Sequence, residues 1–276
     1  MNSNDLAGFD RSLILFGCGN ITSAMLGQWL AHGLEPANIN VVRPSGKPVG
    51  ANIRVVTHAS AAGPAADFVL IGLKPQQLAA ASADIATLVG PHTVVMSILA
   101  GVTVDDLRTR FPNARARLRV MPNMPVRTGR GVIGLAGSVN KPDARTEIDR
   151  LMAPLGLIHW IEDESQFDAL TALTGSGPAF VYRFVDAMRA GAERLGFDSE
   201  TALKLARATL DGAAAELANP RTTPADLATR VASRGGMTQA GLDVLDDDSR
   251  LASLMTETLR AARDRGKELA ALARDS

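Results

Sequence analysis

Leu13-Ile14-Leu15-Phe16-Gly17-Cys18-Gly19-Asn20-Ile21-Thr22 reads as an apolar run of strand length, a glycine turn and the first residues of a helix. Gly17 permits the tight turn and Gly19 lets the backbone come close to a ligand. The amides and dipole of the following helix start offer a seat for an anion. That is the phosphate turn of a dinucleotide-binding βαβ unit, with Gly17, Cys18, Gly19, Asn20 and Ile21 as its ligand-facing residues. Thr22 stands where such turns usually carry a third glycine. Two glycines between a strand and a helix also occur for geometry alone, so the surrounding pattern has to carry the reading.

Working outward, apolar runs at Leu13–Phe16, Ile39–Val42, Phe68–Leu73, Thr93–Ile98, Arg117–Val120, Val132–Leu135 and Leu157–Ile161 alternate with helical patterns. The first of these patterns sets Ile21, Ala24, Met25 and Trp29 on one face. Alternation of this kind predicts an α/β domain over residues 1–161 with a mostly parallel sheet wrapped by helices. After Glu162 the strand signal stops. Val181, Phe184, Val185, Met188 and Leu195 recur at helical spacing, as do Leu203, Ala206, Leu210, Ala214 and Leu217, which predicts an all-α second domain over 162–276. So much apolar surface on so few helices points to sharing with a second copy, a homodimer or larger.

Lysine plus arginine (29) equals aspartate plus glutamate (29), so the charge balance speaks against nucleic acid or an anionic membrane and for a small-molecule partner. The one cysteine excludes an internal disulfide and a cysteine-based zinc site, and fits a reducing cytoplasm. The first eleven residues lack a basic start followed by an apolar stretch, and no later run approaches a bilayer span, so a soluble cytoplasmic protein is expected.

The end of the second strand reads Val41-Val42-Arg43-Pro44-Ser45-Gly46-Lys47, with no acid for a ribose 2′-hydroxyl. Arg43, Ser45 and Lys47 would complement a 2′-phosphate, which favours NADPH while leaving NADH possible. Solvated loop charges are the alternative. Leu73-Lys74-Pro75, Ala100 in the turn after Ser97, and Asn123 in Met121-Pro122-Asn123 follow later strands, where parallel sheets present ligands; prolines there also serve as ordinary turn formers. Cys18 reads as a small filler of the turn more than as a redox-sensitive thiol. The four histidines stand singly, and no metal site is expected.

In the helical half, Thr174-Gly175-Ser176-Gly177-Pro178 opens a long helix, and Ser233-Arg234-Gly235-Gly236-Met237-Thr238 precedes a short one. Free amides at such a helix start suit a carboxylate. Thr238 reads either as an N-cap or as a functional hydroxyl. The glycine turn, the Lys74-Pro75 loop, Ser97 to Gly101, Met121-Pro122-Asn123, Gly175 to Pro178, and above all the Ser233 to Thr238 loop followed by Ala240-Gly241-Leu242, resemble pyrroline-5-carboxylate reductases over nearly the entire chain. The resemblance implies an N-terminal Rossmann domain, a helical dimerisation domain, active sites where domains and subunits meet, and reduction of a cyclic imine to proline. It further implies that Ser233, Gly235, Gly236, Met237 and Thr238 bind the substrate, with Thr238 catalytic at the imine nitrogen, and that Glu164 is either a substrate-side contact or a residue that only caps or pairs at the surface. Arg234 replaces the family's usual proline, and Met237 its usual small residue or threonine. A β-hydroxyacid dehydrogenase of similar layout would need a lysine base that neither Lys204 nor Lys267 is placed by motif to supply. A nicotinamide-binding regulator without turnover would leave the Ser233 to Thr238 loop unexplained.

Overall fold

The computed structural model describes residues 5–50, 52–139 and 142–274, with the side chains after residue 271 left aside. Among the described residues, eight strands form one sheet: β1 (Leu13–Phe16), β2 (Ile39–Val42), β3 (Arg54–Val56), β4 (Phe68–Ile71), β5 (Val94–Ser97), β6 (Ala116–Pro122), β7 (Gly131–Ala136) and β8 (Gly156–Ile161). Their order is β3-β2-β1-β4-β5-β6-β7-β8, and every neighbouring pair is parallel except β6 with β7. The helices are α1 (Asn20–Ala31), α2 (Leu78–Ala86), α3 (Val104–Arg110), α4 (Pro142–Met152), α5 (Phe167–Leu170), α6 (Gly177–Arg194), α7 (Ser199–Leu217), α8 (Pro224–Val231), α9 (Met237–Asp246) and α10 (Arg250–Arg274).

All seven strands expected from the sequence are present. β3 is the addition. It is three residues long, lies at the sheet edge and is only partly buried, so it lacks the apolar run that marks the others. The central strands β1, β4 and β5 are buried on both faces, as parallel strands under helices must be. Alternation along β1 divides the core: Leu13 and Leu15 pack with Met25 and Trp29 of α1, while Ile14 and Phe16 pack with Val69, Ile71, Leu107 and Phe111 on the other face. Trp29 is fully buried, and its indole N–H donates to the Leu151 carbonyl at 2.7 Å, so its one polar atom is paired.

The chain divides into two compact units, one running to Ser176 and taking up the chain again from Ala262, the other Gly177–Ala261. The division falls later along the chain than the change in composition at Glu162. The second unit is helical throughout, and its apolar stripes are largely uncovered: Leu195 is 85% exposed, Tyr182 64% and Phe184 49%, whereas Val185, Ala202 and Ala206 are buried.

α1 lies close against the sheet at a point that no side chain could occupy from the strand side. A Cβ on Gly72 would stand 2.5 Å from Thr22 Oγ1, and a Cβ on Gly17 would stand 2.7 Å from the Gly72 carbonyl oxygen. Thr22 is β-branched and fully buried, with its hydroxyl unpartnered, so it has little freedom to give way. Gly72→Ala should therefore lower stability by about 1–3 kcal/mol through overpacking, and adding Thr22→Ala should restore most of it. Thermal melts of the two single variants and the double variant check this; additive losses would mean that the two residues do not share one space.

Candidate active site

Where β1 ends, Gly17 takes φ +90°, outside the comfortable range of other residues, and its N–H donates to the Val42 carbonyl at 2.8 Å. The Gly72 N–H in turn donates to the Phe16 carbonyl at 2.9 Å, so the ends of β1, β2 and β4 are tied together. Gly19 is the N-cap of α1. No side chain caps it, and a Cβ placed on it would meet nothing within 4 Å. The first-turn amides of α1 thus face open space with no internal acceptor from the cap. Cys18 is buried, with its sulfur 3.2 Å from the Ser23 hydroxyl, as a small filler of the turn would be.

A cleft of about 990 Å³ opens above this turn. Of the residues expected there, Gly17, Cys18, Gly19, Ile21, Arg43, Ser45, Leu73 and Lys74 form its wall, whereas Asn20, Lys47, Pro75, Ala100 and Asn123 do not. Arg43 is half-buried; its backbone N–H donates to the Val56 carbonyl at 2.9 Å and its Nη1 to the Lys47 carbonyl at 3.3 Å. Lys47 therefore serves the turn with its backbone and holds the Arg43 guanidinium at the cleft. The wall also contains Thr57, His58 and Ala59, which sequence reasoning missed. They follow β3, so recognising a strand at Arg54–Val56 is the step that would have placed their loop beside Arg43. Gln76 and Gln77 were missed as well; Gln77 Oε1 accepts from the Lys74 N–H at 3.1 Å and closes the turn after Lys74.

Two expected site residues are engaged inside the first unit. Asn123 is buried, its Nδ2 donating to the Thr174 carbonyl at 2.8 Å and its Oδ1 accepting from the Val132 N–H at 2.9 Å. Glu164 Oε1 accepts from Arg119 Nη1 at 2.9 Å and from the Val104 N–H at 3.1 Å.

In the second unit, Gly235 takes φ +71° and turns the chain so that the Gly236 N–H donates to the Ser233 carbonyl at 2.8 Å. A Cβ on Gly236 would strike the Ser233 hydroxyl. Gly236 is the N-cap of α9, with no side-chain cap, so Thr238 is the second helical residue and not the cap. Met237 is 95% exposed, and Thr238 is exposed too. The start of α9 thus offers uncapped amides next to a hydroxyl and two glycines, a set suited to a carboxylate with a neighbouring hydrogen-bonding group.

The chain matches the family model described as pyrroline-5-carboxylate reductase dimerisation over residues 164–269, and the ketopantoate reductase family model over residues 25–140. It is 32% identical over 264 residues to the pyrroline-5-carboxylate reductase of Pseudomonas aeruginosa, covering 94% of this chain and 96% of that protein. The chain belongs to the pyrroline-5-carboxylate reductase family. A solved pyrroline-5-carboxylate reductase from Coxiella burnetii superposes with a TM-score of 0.86 at 28% identity, covering 94% of this chain and 98% of that one. The Plasmodium falciparum pyrroline carboxylate reductase, solved with NADP bound, shares the fold with a TM-score of 0.79 at 22% identity, over 95% of this chain and 98% of that one.

The turn at Gly17 and Gly19 fits a dinucleotide pyrophosphate on the structure's own terms: a cradle without Cβ atoms, open space at Gly19 and an uncapped helix start. Arg43 lines the cleft at the end of β2 and is half-buried. Arg43→Asp should weaken NADPH binding by roughly tenfold or more, the scale of a charge-assisted contact, while NADH binding changes little. Titrating both nucleotides by fluorescence decides it; an unchanged ratio would remove Arg43 from phosphate recognition.

Proposed function

We propose that the chain reduces 1-pyrroline-5-carboxylate to L-proline, the closing step of proline biosynthesis, with a nicotinamide nucleotide as hydride donor and NADPH preferred to NADH. The observation that carries this reading is the Gly236-capped start of α9, with its uncapped amides and the Thr238 hydroxyl, in a chain matched almost end to end by a reductase of that name. Reduction of a cyclic imine needs a hydride at the ring carbon and positive charge on the nitrogen. The nucleotide, when bound in the cleft above Gly17, supplies the hydride.

An imine is basic enough to carry its own proton, so the protein has no need of a strong acid at that position. A hydroxyl that accepts the N–H of the protonated imine is enough to orient it. In this reading Thr238 has that part, and the amides of Gly235, Met237 and Thr238 hold the carboxylate; the Gly236 amide is already committed to Ser233. Lys74 and Leu73 line the nucleotide's side of the reaction, and Asn123 braces the end of β6 rather than contacting ligand. Rate enhancement then rests on proximity and alignment.

The chain works as a homo-oligomer in this proposal, at least a dimer, because the apolar side chains of α6 and its neighbours remain uncovered in a single copy. The lone cysteine and the small-molecule substrate suit the cytoplasm. Among the described residues no helix is long and apolar enough to cross a membrane.

Purified protein should oxidise NADPH on addition of pyrroline-5-carboxylate, and light scattering in dilute buffer should report two or more copies; a fully active monomer would contradict the assembly. Thr238→Ala should lower turnover by roughly 10- to 1,000-fold, the scale of one positioned donor or acceptor at a reacting centre, with NADPH affinity near normal, and Thr238→Ser should keep much more activity. Because Gly236 is the cap, alanine at 238 should spare the melting temperature the loss of about 1 kcal/mol that removing a cap brings. A less stable but fully active alanine variant would take Thr238 out of the chemistry.

A further inference from the structure

Arg119 lies on β6, opposite Ser97 of β5 in the sheet register, and it is buried. Its guanidinium stands over the Phe167 ring, 3.8 Å from the centroid, which fixes the plane of the group; its Nε finds no partner. Its Nη1 lies 2.9 Å from Glu164 Oε1. A buried guanidinium without a countercharge is costly, so Arg119 holds the carboxylate in one place. The same oxygen accepts the N–H of Val104, the first residue of α3 and one of the helix-start donors without an intrahelical acceptor.

Val104 closes the loop that leaves β5 at the ligand-facing edge of the sheet. At its near end, Ile98 is in the wall of the nucleotide cleft, its N–H donating to the Ile71 carbonyl at 3.1 Å, and the Leu99 N–H meets Ser97 Oγ at 3.3 Å. Between the two ends run Ala100 and Gly101, the latter at φ +79°. At the far end the Thr103 N–H and hydroxyl donate to Asp106 Oδ2, and Glu164 adds a tie to the next residue, Val104, from sixty residues along the chain.

We propose that Glu164 is a positioning residue for the nucleotide: paired with Arg119, it fixes the Ile98 to Thr103 loop at the cleft and does not contact the imine substrate. The proposal rests on the reading that this cleft takes a nicotinamide nucleotide. It assigns Arg119 and Phe167 the supporting part of aiming the carboxylate. Val102 and Val104, both buried, anchor the loop's apolar side but cannot satisfy the Val104 amide.

The test is NADPH binding followed by fluorescence without substrate, alongside KM for pyrroline-5-carboxylate and thermal melts, for the wild type, Glu164→Ala and Glu164→Gln. Glu164→Ala should weaken NADPH binding roughly tenfold, the scale of a charge-assisted hydrogen bond, with KM for the imine near normal at saturating NADPH. Glu164→Gln should lose less, because its amide oxygen still accepts from Val104; it also serves if the alanine variant fails to fold. A rise in imine KM with NADPH binding intact would overturn the proposal in favour of a direct substrate contact. A lowered melting temperature with both constants unchanged would overturn it in favour of a purely structural bond. If the wild type binds no NADPH, the reading of the cleft fails and this proposal with it; if the wild type binds and the variants bind equally well, only this proposal fails.

Discussion

The close crossing of Gly17, Gly72 and the first turn of α1 is the constraint on which the rest of the site depends. Dinucleotide turns usually secure this approach with a third glycine on the helix. Here the helix carries Thr22, and the missing volume is taken from the strand side at Gly72. The exchange has a cost, since the Thr22 hydroxyl is buried without a partner, an arrangement worth about 1–3 kcal/mol against folding. What it preserves is the position of the α1 start at the edge of the sheet, with Gly19 open and the first amides uncapped. Moving α1 outward by the width of a methyl group would uncouple those amides from Gly17 and from the ends of β2 and β4 that shape the remainder of the cleft.

The parts of the fold that were legible in the sequence are those decided by local pattern. β1, β4 and β5 are apolar throughout because both their faces are covered, and the glycine turn announces itself between a strand and a helix. β3 was illegible because three residues at a half-exposed edge carry too little periodicity, and the loss propagated: Thr57, His58 and Ala59 could not be placed beside Arg43 until the strand before them was known. Asn123 and Glu164 show a second kind of limit. Asn123 drew attention by its place after a strand and Glu164 by the family resemblance, but the partners each takes lie far away in sequence, Thr174 for Asn123 and Arg119 with Val104 for Glu164. No spacing rule reports such a pairing.

The helical unit is the converse case. Its periodicity is plain in the sequence, and the helices form where the pattern puts them, yet periodicity reports only that a face is apolar and not what covers it. Tyr182, Phe184 and Leu195 stand exposed along or just beyond α6 while small residues such as Ala202 and Ala206 fill the buried positions. A core built from alanine brings helices close but removes little apolar area from water, since burial scales with the area covered. The large side chains that would contribute most are the ones left outside, in the same residues that match the dimerisation family model.

Under the proposed reading, recognition by backbone would account for how the loop before α9 can depart from the family's usual sequence. Its shape is set by Gly235 at φ +71°, by the Gly236 to Ser233 hydrogen bond and by Gly236 as the cap, and none of these involves a side chain at 234 or 237. Arg234, where the family usually has proline, and Met237, where it has a small residue or threonine, are both exposed, so the amides they carry keep their directions while their side chains alter the rim. Under the proposed reading the carboxylate seat is therefore insulated from both changes. The rest of the substrate would not be: a guanidinium and a long thioether beside that seat would alter charge and shape where the ring would fit. Departures at these two positions should then act on which imino acids are accepted more than on whether a carboxylate is held, because the first depends on side chains and the second on glycine geometry.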